Sequence, residues 1–521
     1  MNNAPAILRT LIIYVVCVPL AVFIGYLLTN PLDTATFTYV GFLLAILLFP
    51  ILLRWHHPLL IFSWNSGIFV FFLPGQPHLW LVMTAASLGI SMLQRALGGV
   101  KRFIGVPQVT WALIIMMGVV VLTARLTGMG LHAFGDEVSG GRRYIYLLGA
   151  IMGYFAISSR RIPREHASLY IGLFFLPGLL ACVGDLWKFM PGSLHFVYLF
   201  LPAYESTMME SQVMETMRFV GGMMAAIALF SYMQARYGVR GILLSGKPWR
   251  WMVLVVVFAY GMLGGFRSNI LLIAAVFFVQ FVIEGLYRTK LTLIFAVLGL
   301  LGAVALVPLT PHLPHSAQRA LAFLPLKIDP GVRHAAEETS DWRFEMWKAL
   351  LPQIPEHLLL GKGYAISRKD IDSLTGLNAS IRSFSGFEGN QYMALAGSFH
   401  NGPLSVILIF GLWGCIAAIW FWGVGVWVLY SNYRYGDPAL KSANTFLLVA
   451  FVIRILFFLF IFGDLGTDML YFSGWLGLSV SLNGGVCHAE PVPALAANRV
   501  QRYDRLRPQL QPAFRRPDVR G

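Results

Sequence analysis

Two arginines and one histidine stand where side chains of their kind can act on a charged substrate. Arg267 lies in Gly264-Gly265-Phe266-Arg267-Ser268-Asn269, Arg343 in Asp341-Trp342-Arg343-Phe344-Glu345-Met346-Trp347, and His400 in Gly397-Ser398-Phe399-His400-Asn401-Gly402-Pro403. A guanidinium holds its charge at every working pH and matches phosphate oxygens with two parallel N–H bonds. An imidazole accepts a proton near neutrality. The trio suits a reaction in which an anionic group leaves and a hydroxyl attacks. Each also has a plainer use: an arginine snorkelling to a membrane interface, an arginine in solvent beside an apolar stripe, a histidine that only shapes a helix mouth.

The neighbouring residues say how each is held. The Arg267 turn joins two apolar runs with almost no loop, and Ser268 or Asn269 can cap the following helix. The unpaired N–H groups and dipole of such a helix attract an anion. Ser340 can cap a short helix over 341–351, in which Trp342, Met346 and Leu350 recur every fourth residue; Phe344, Trp347 and Leu351 widen the stripe and Pro352 ends it. That pattern predicts an amphipathic helix on the membrane surface, its tryptophans at headgroup depth. Pro403 suits the first turn of a helix, with Asn401 or Gly402 as cap. Neither an HxxxH motif nor a carboxylate at ligand spacing accompanies His400, so no metal or other cofactor is expected.

Asn401, Trp347, Arg454, Glu205 and Glu210 are further candidates, as substrate contacts. Glu205 and Glu210 lie in a Met-rich polar stretch that can equally be a wet helix face. Arg454 interrupts an apolar run, where a charged residue faces either a cavity or a paired carboxylate.

The elements that position these residues follow from composition. The chain has 521 residues, 57% of them hydrophobic and 12% charged, with mean hydropathy +0.68. Soluble domains carry about 25% charged residues. Apolar runs long enough to cross roughly 30 Å of hydrocarbon occur near 10–28, 36–53, 59–74, 79–97, 108–126, 144–159, 167–183, 219–235, 249–265, 269–286, 291–309, 403–430, 443–462 and 467–483. The third is short and carries Asn65, so it can also be re-entrant. The net charge of +15 lies mostly in connectors and in a Pro/Arg/Gln-rich tail. With the N-terminus in the cytoplasm, the connectors bearing Arg54, Arg160, Arg161, Arg236, Arg240 and the tail all fall inside. Loops 127–143 and 184–218, the Arg267 turn and a polar segment, 310–402, fall outside. The expectation is an all-α polytopic membrane protein with about 12–14 transmembrane helices, one large extracytoplasmic loop and both termini cytoplasmic, surrounded by membrane lipids. No groove-reading motif accompanies the basic charge, so no nucleic-acid partner is expected. Cys17, Cys182, Cys415 and Cys487 are scattered and form no CxxC.

From about Lys247 to Tyr430 the chain resembles the O-antigen ligase and polymerase family of bacterial envelope glycan assembly. The resemblance rests on the Gly265-Phe266-Arg267-Ser268 turn, on Arg343 to Trp347 followed by His357-Leu358-Leu359-Leu360-Gly361-Lys362-Gly363-Tyr364, and on His400-Asn401 before Phe410-Gly411-Leu412-Trp413-Gly414. Leu358 stands where the family has proline, and Phe266 where it has a small residue. The resemblance implies a glycosyltransferase-C-like membrane fold. It implies metal-independent transfer of a glycan from a polyprenyl-diphosphate carrier to an acceptor on the outer side of the bacterial plasma membrane. The acceptor is a lipid A core sugar, a growing glycan or a protein hydroxyl. Arg267 and Arg343 would hold the diphosphate, with His400 near the acceptor. The implied organisation is an N-terminal transmembrane region (1–246), a ligase/polymerase core (247–430) that includes the loop 310–402, C-terminal helices (431–483) and a basic cytoplasmic tail (484–521). A transporter of a lipid-linked glycan or another solute is the competing class. No repeat halves are visible in the sequence to favour it.

Overall fold

The computed structural model describes residues 34–73, 75–98, 103–130, 140–204, 208–211, 214–366 and 397–489, with isolated positions between 14 and 26. Their backbone is almost wholly helical. In hydrocarbon no water satisfies N–H and C=O groups, so a helix that closes its own bonds is the economical way across. The elements are α1 (Thr34–Ser63), α2 (Leu79–Ala96), α3 (Pro107–Thr127), α4 (Gly141–Ile157), α5 (Ala167–Phe175), α6 (Ala181–Asp185), α7 (Val220–Leu243), α8 (Pro248–Met262), α9 (Arg267–Ile283), α10 (Lys290–Leu309), α11 (His315–Ala320), α12 (Pro330–Leu350), α13 (Gly402–Tyr435), α14 (Lys441–Phe460) and α15 (Leu465–Asn483). A short antiparallel hairpin, β1 (Met208–Ser211) and β2 (Met214–Met217), interrupts the helices. This is an all-α polytopic membrane protein.

Among the described residues, six helices are long and apolar enough to cross a membrane. The run at 10–28 lies largely outside the described residues. The run at 59–74 is not a separate helix: α1 continues through Pro58 to Ser63, and turns follow up to a bridge between Phe69 and His78. Every other run coincides with helix. Several of these fall short of the criterion: α8 and α9 have 15 and 17 residues and rise only about 23 and 26 Å.

α15 runs along α4, α13 packs on α3 and α14, and α7 packs on α8 and α14. Phe410, Phe421, Phe446, Phe451, Phe458 and Phe472 fill the space between them and are fully buried. α10 has no buried residue, the pattern of an apolar helix whose solvent is lipid. The polar segment predicted as a loop contains α11 and α12; residues 367–396 within it, and those beyond 489, lie outside the described residues.

One break positions the site. Inside α13, Gly411 leaves helical geometry at φ 65°, ψ −161°. The segment after α12 fills the gap: Lys362 N donates to Leu408 O at 2.7 Å, Gly363 N to Ile409 O at 3.0 Å, and Leu412 N to Leu358 O at 2.6 Å. A Cβ at Gly411 would stand 2.4 Å from Leu359 O, and one at Gly361 2.2 Å from Ile409 O. The two Gly-rich motifs are thus the halves of one backbone joint, which fixes the end of α12 against the start of α13.

Candidate functional site

The helix mouths enclose a cavity of about 400 Å³ lined by Arg218, Arg267, Arg319 and Arg343, with Phe266, Ser340 and Phe462 among its other walls. Arg267 is the first residue of α9. The residue before it, Phe266, is extended and gives no side-chain cap. Ser268 and Asn269, expected to cap, are inside the helix instead, and Asn269 Nδ2 donates to Met223 Sδ at 2.8 Å. The uncapped first turn therefore lies at the cavity wall, where its dipole adds to the positive field.

α12 supplies the opposite wall. It begins at Pro330, capped by Asp329, rather than at Ser340. The pre-Ser340 stretch carries Val332, Ala335 and Ala336, all buried, so the tertiary contact extends the helix backward. Ser340 faces the cavity: Arg267 Nη2 donates to Ser340 Oγ at 3.1 Å and to Ala336 O at 2.9 Å. The apolar stripe of this helix also differs from expectation. Met346 and Leu350 are buried in the protein core rather than offered to lipid, while Phe344 stays exposed.

Arg218 and Arg319 complete the cluster. The Arg218 guanidinium sits 4.2 Å over the Phe266 ring, and its Nε donates to Gly264 O at 3.3 Å. Phe266, the departure from the family pattern, is thus the platform for a third arginine. The four cations repel one another. Burial, then Arg319 and Arg343, lower Arg218 to about 10. Burial and Arg267 lower Arg319, with Glu338 opposing, and burial, Arg267 and Arg319 lower Arg343. Nε of Arg343 is buried with no protein partner.

His400 stands at the rim of this cavity. Its ring lies 5.2 Å from Phe462, a cavity wall, and 5.8 Å from Trp342. Its backbone is left-handed, φ 51°, a conformation uncommon outside glycine though more accessible to histidine than to most residues. The residues on either side of it are held: Trp347 Nε1 donates to Phe399 O at 2.8 Å, Phe399 is fully buried, and Asn401 Oδ1 accepts from Leu404 N at 3.1 Å. Burial and the nearby Arg343 lower His400 to about 4, so the ring is neutral at pH 7.

The other candidates divide. Trp347 and Asn401 hold the His400 loop, one from α12 and one as cap of α13. Arg454 does not line the cavity: Nε donates to Asp468 Oδ1, the guanidinium lies 4.9 Å over the Tyr471 ring, and the second Asp468 oxygen accepts from Asp464 N at 2.9 Å. Glu205 lies outside the described residues. Glu210 sits in the hairpin opposite Glu215, and β2 packs beside α11. Asp468→Asn strands the buried Arg454 charge and is expected to destabilise the protein by about 3–5 kcal/mol; thermal unfolding in detergent checks it. An unchanged melting temperature with a raised KM would make Arg454 a substrate ligand instead.

An apolar helix bundle with a cationic pocket at its helix mouths defines a polytopic membrane protein able to hold an anionic substrate group. Residues 252–419 match the family model of the O-antigen ligase, and the match supports membership of the chain in the O-antigen ligase/polymerase family. That family carries out glycan transfer of ligase and polymerase type in cell-envelope polysaccharide assembly. The matched span holds Arg267, Arg343 and His400; Arg218 precedes it and Phe462 follows it. No curated protein matches the chain.

Proposed function

We infer that this protein transfers a glycan from a polyprenyl-diphosphate carrier to an acceptor hydroxyl on the outer face of the bacterial plasma membrane. The observation that carries this reading is the convergence of four guanidinium groups in one cavity. Such a cluster is self-repelling when empty and is balanced by a multiply charged group such as a diphosphate. A cavity of this size falls within the range of small-ligand sites, about 300–1,000 Å³.

The chemistry follows from the geometry. The acceptor oxygen attacks the anomeric carbon, the glycosidic C–O bond breaks, and the diphosphate leaves with the bonding pair. Arg267 and Arg343, with Arg218 and Arg319, neutralise the charge that builds on it, a preorganised electrostatic role. His400, neutral and at the rim, takes the acceptor proton. Burial and, after it, Arg343 make the free imidazole a weak base; a bound diphosphate offsets the Arg343 charge and raises its basicity in part. Donor binding therefore prepares the base. The leaving group is already activated, so we propose that no divalent metal is needed.

Purified full-length protein, given lipid-linked donor and acceptor, is expected to form product in EDTA. Activity abolished by EDTA and restored by Mg²⁺ or Mn²⁺ would overturn the metal-free mechanism. Envelope glycans of a deletion strain sort the acceptor: single unpolymerised repeats indicate a growing glycan, and long chains left on the carrier indicate a lipid A core sugar. Normal lipid-borne glycan with an unmodified protein indicates a protein hydroxyl.

A further inference from the structure

The far end of α15 from Phe462 adjoins a second basic cavity, larger than the first. α15 has 19 residues, which separates its two ends by about 28 Å. The cavity measures about 590 Å³, and its walls include Arg54, Trp55, His57, Arg160, Arg161 and Tyr170; none of its lining residues is acidic. The arginines come from two distant segments, α1 and the turn after α4.

Arg160 is held in place by neutral groups. Arg160 Nη2 donates to the Gln94 amide oxygen, and Gln94 Nε2 donates to Leu53 O at 3.1 Å. The turn is pinned to α15, with Ile162 N donating to Ser481 O at 2.9 Å and the Ser481 hydroxyl donating to Arg160 O. The ion pair of this turn seen among the described residues, Arg164 with Asp437 at 3.0 Å, uses an arginine that does not line the cavity. A carboxylate clamp would cancel the charge of Arg160; an amide clamp orients it and leaves the charge in force. On the same helices Ile51, Trp55, Leu59 and Leu169 are exposed and apolar. Arginines that merely orient the chain in the membrane need neither a shared cavity nor an amide clamp.

The geometry points to a binding site for the phosphate of an anionic phospholipid headgroup, with its acyl chains along Trp55 and the neighbouring apolar residues. Free phosphate shares the headgroup chemistry but not the use of that apolar border, so the lipid is the occupant. Basic pockets between membrane helices commonly serve this purpose.

Native mass spectrometry of the full-length protein, titrated with dioleoyl phosphatidylglycerol or dioleoyl phosphatidylcholine, tests it. The wild type is expected to retain the anionic lipid preferentially. Each arginine removed should weaken that lipid's binding about five-fold. Arg54 is exposed, so Arg54→Gln keeps the fold and carries the test even if Arg54→Gln/Arg160→Gln does not fold. Equal retention of the two lipids, or unchanged phosphatidylglycerol affinity in Arg54→Gln, would overturn the proposal. So would loss of the lipid in Arg343→Ala rather than Arg54→Gln, which places it in the first cavity. Displacement by millimolar inorganic phosphate as effectively as by excess phosphatidylglycerol would assign the site to a soluble anion and also overturn it.

Discussion

Arg343→Ala is expected to lower glycan transfer by about 10²–10³-fold, the cost of removing one preorganised donor from a developing anion. Arg343 is singled out because it feels the charges of Arg267 and Arg319, its own charge is felt by His400, and its Nε is buried without a protein partner. The loss should fall on the chemical step, since charge on the diphosphate rises as the C–O bond breaks. Arg343→Lys keeps the charge but loses the planar fork, and an intermediate rate is expected. Stability gives a second signature. Burial and two neighbouring cations hold the Arg343 guanidinium below its ordinary pKa, so removing it relieves repulsion in the donor-free protein. The melting temperature of Arg343→Ala should hold or rise while activity falls, as at sites where function is set against stability. A variant that loses activity only because it no longer folds would contradict this. Asp468→Asn is the contrast: there a charge loses its partner, and stability falls.

His400→Ala is expected to cost about 10²–10⁴-fold in transfer, the usual worth of a positioned base, with donor binding retained. The pH dependence has a definite sign. The active form is the neutral imidazole. Burial and Arg343 lower the free ring to about 4, so kcat/KM for the donor, which reports the donor-free protein, stays level across neutral pH and falls only as pH drops through about 4. In the donor complex the diphosphate offsets Arg343, the His400 pKa rises toward its ordinary value, and the acid limb of kcat lies at higher pH. A kcat limb that vanishes in His400→Ala confirms the assignment. A rate that grows on acidification would show His400 acting as an acid and would sink its role as base.

How much of this was legible beforehand depended on whether the signal was local. The α13 mouth was, because Asn401 and Pro403 are cap and first-turn residues whatever the tertiary setting. Arg267 and Arg343 were, because each stands at a break or on a stripe. The boundary at Ser340 was misplaced because a local cap signal competes with packing: Val332, Ala335 and Ala336 are buried, and the true cap is Asp329. Arg218 had a usable signal, an arginine just ahead of an apolar run, as at Arg267. Arg319 had none, since nothing in a polar segment says which basic residue folds inward. Arg454 was ambiguous because its partner, Asp468, lies on the next helix. The run at 59–74 was read as a span of its own, whereas α1 absorbs its first part and the chain then unwinds.

The central claim is that the four-arginine cavity binds a diphosphate, and a direct titration tests it. Isothermal calorimetry of farnesyl diphosphate against the full-length protein in nanodiscs should show saturable binding, weaker for farnesyl monophosphate and much weaker in Arg267→Ala and Arg343→Ala, with His400→Ala close to wild type. Equal affinity for monophosphate and diphosphate, or affinity unchanged when both arginines are removed, would contradict the account.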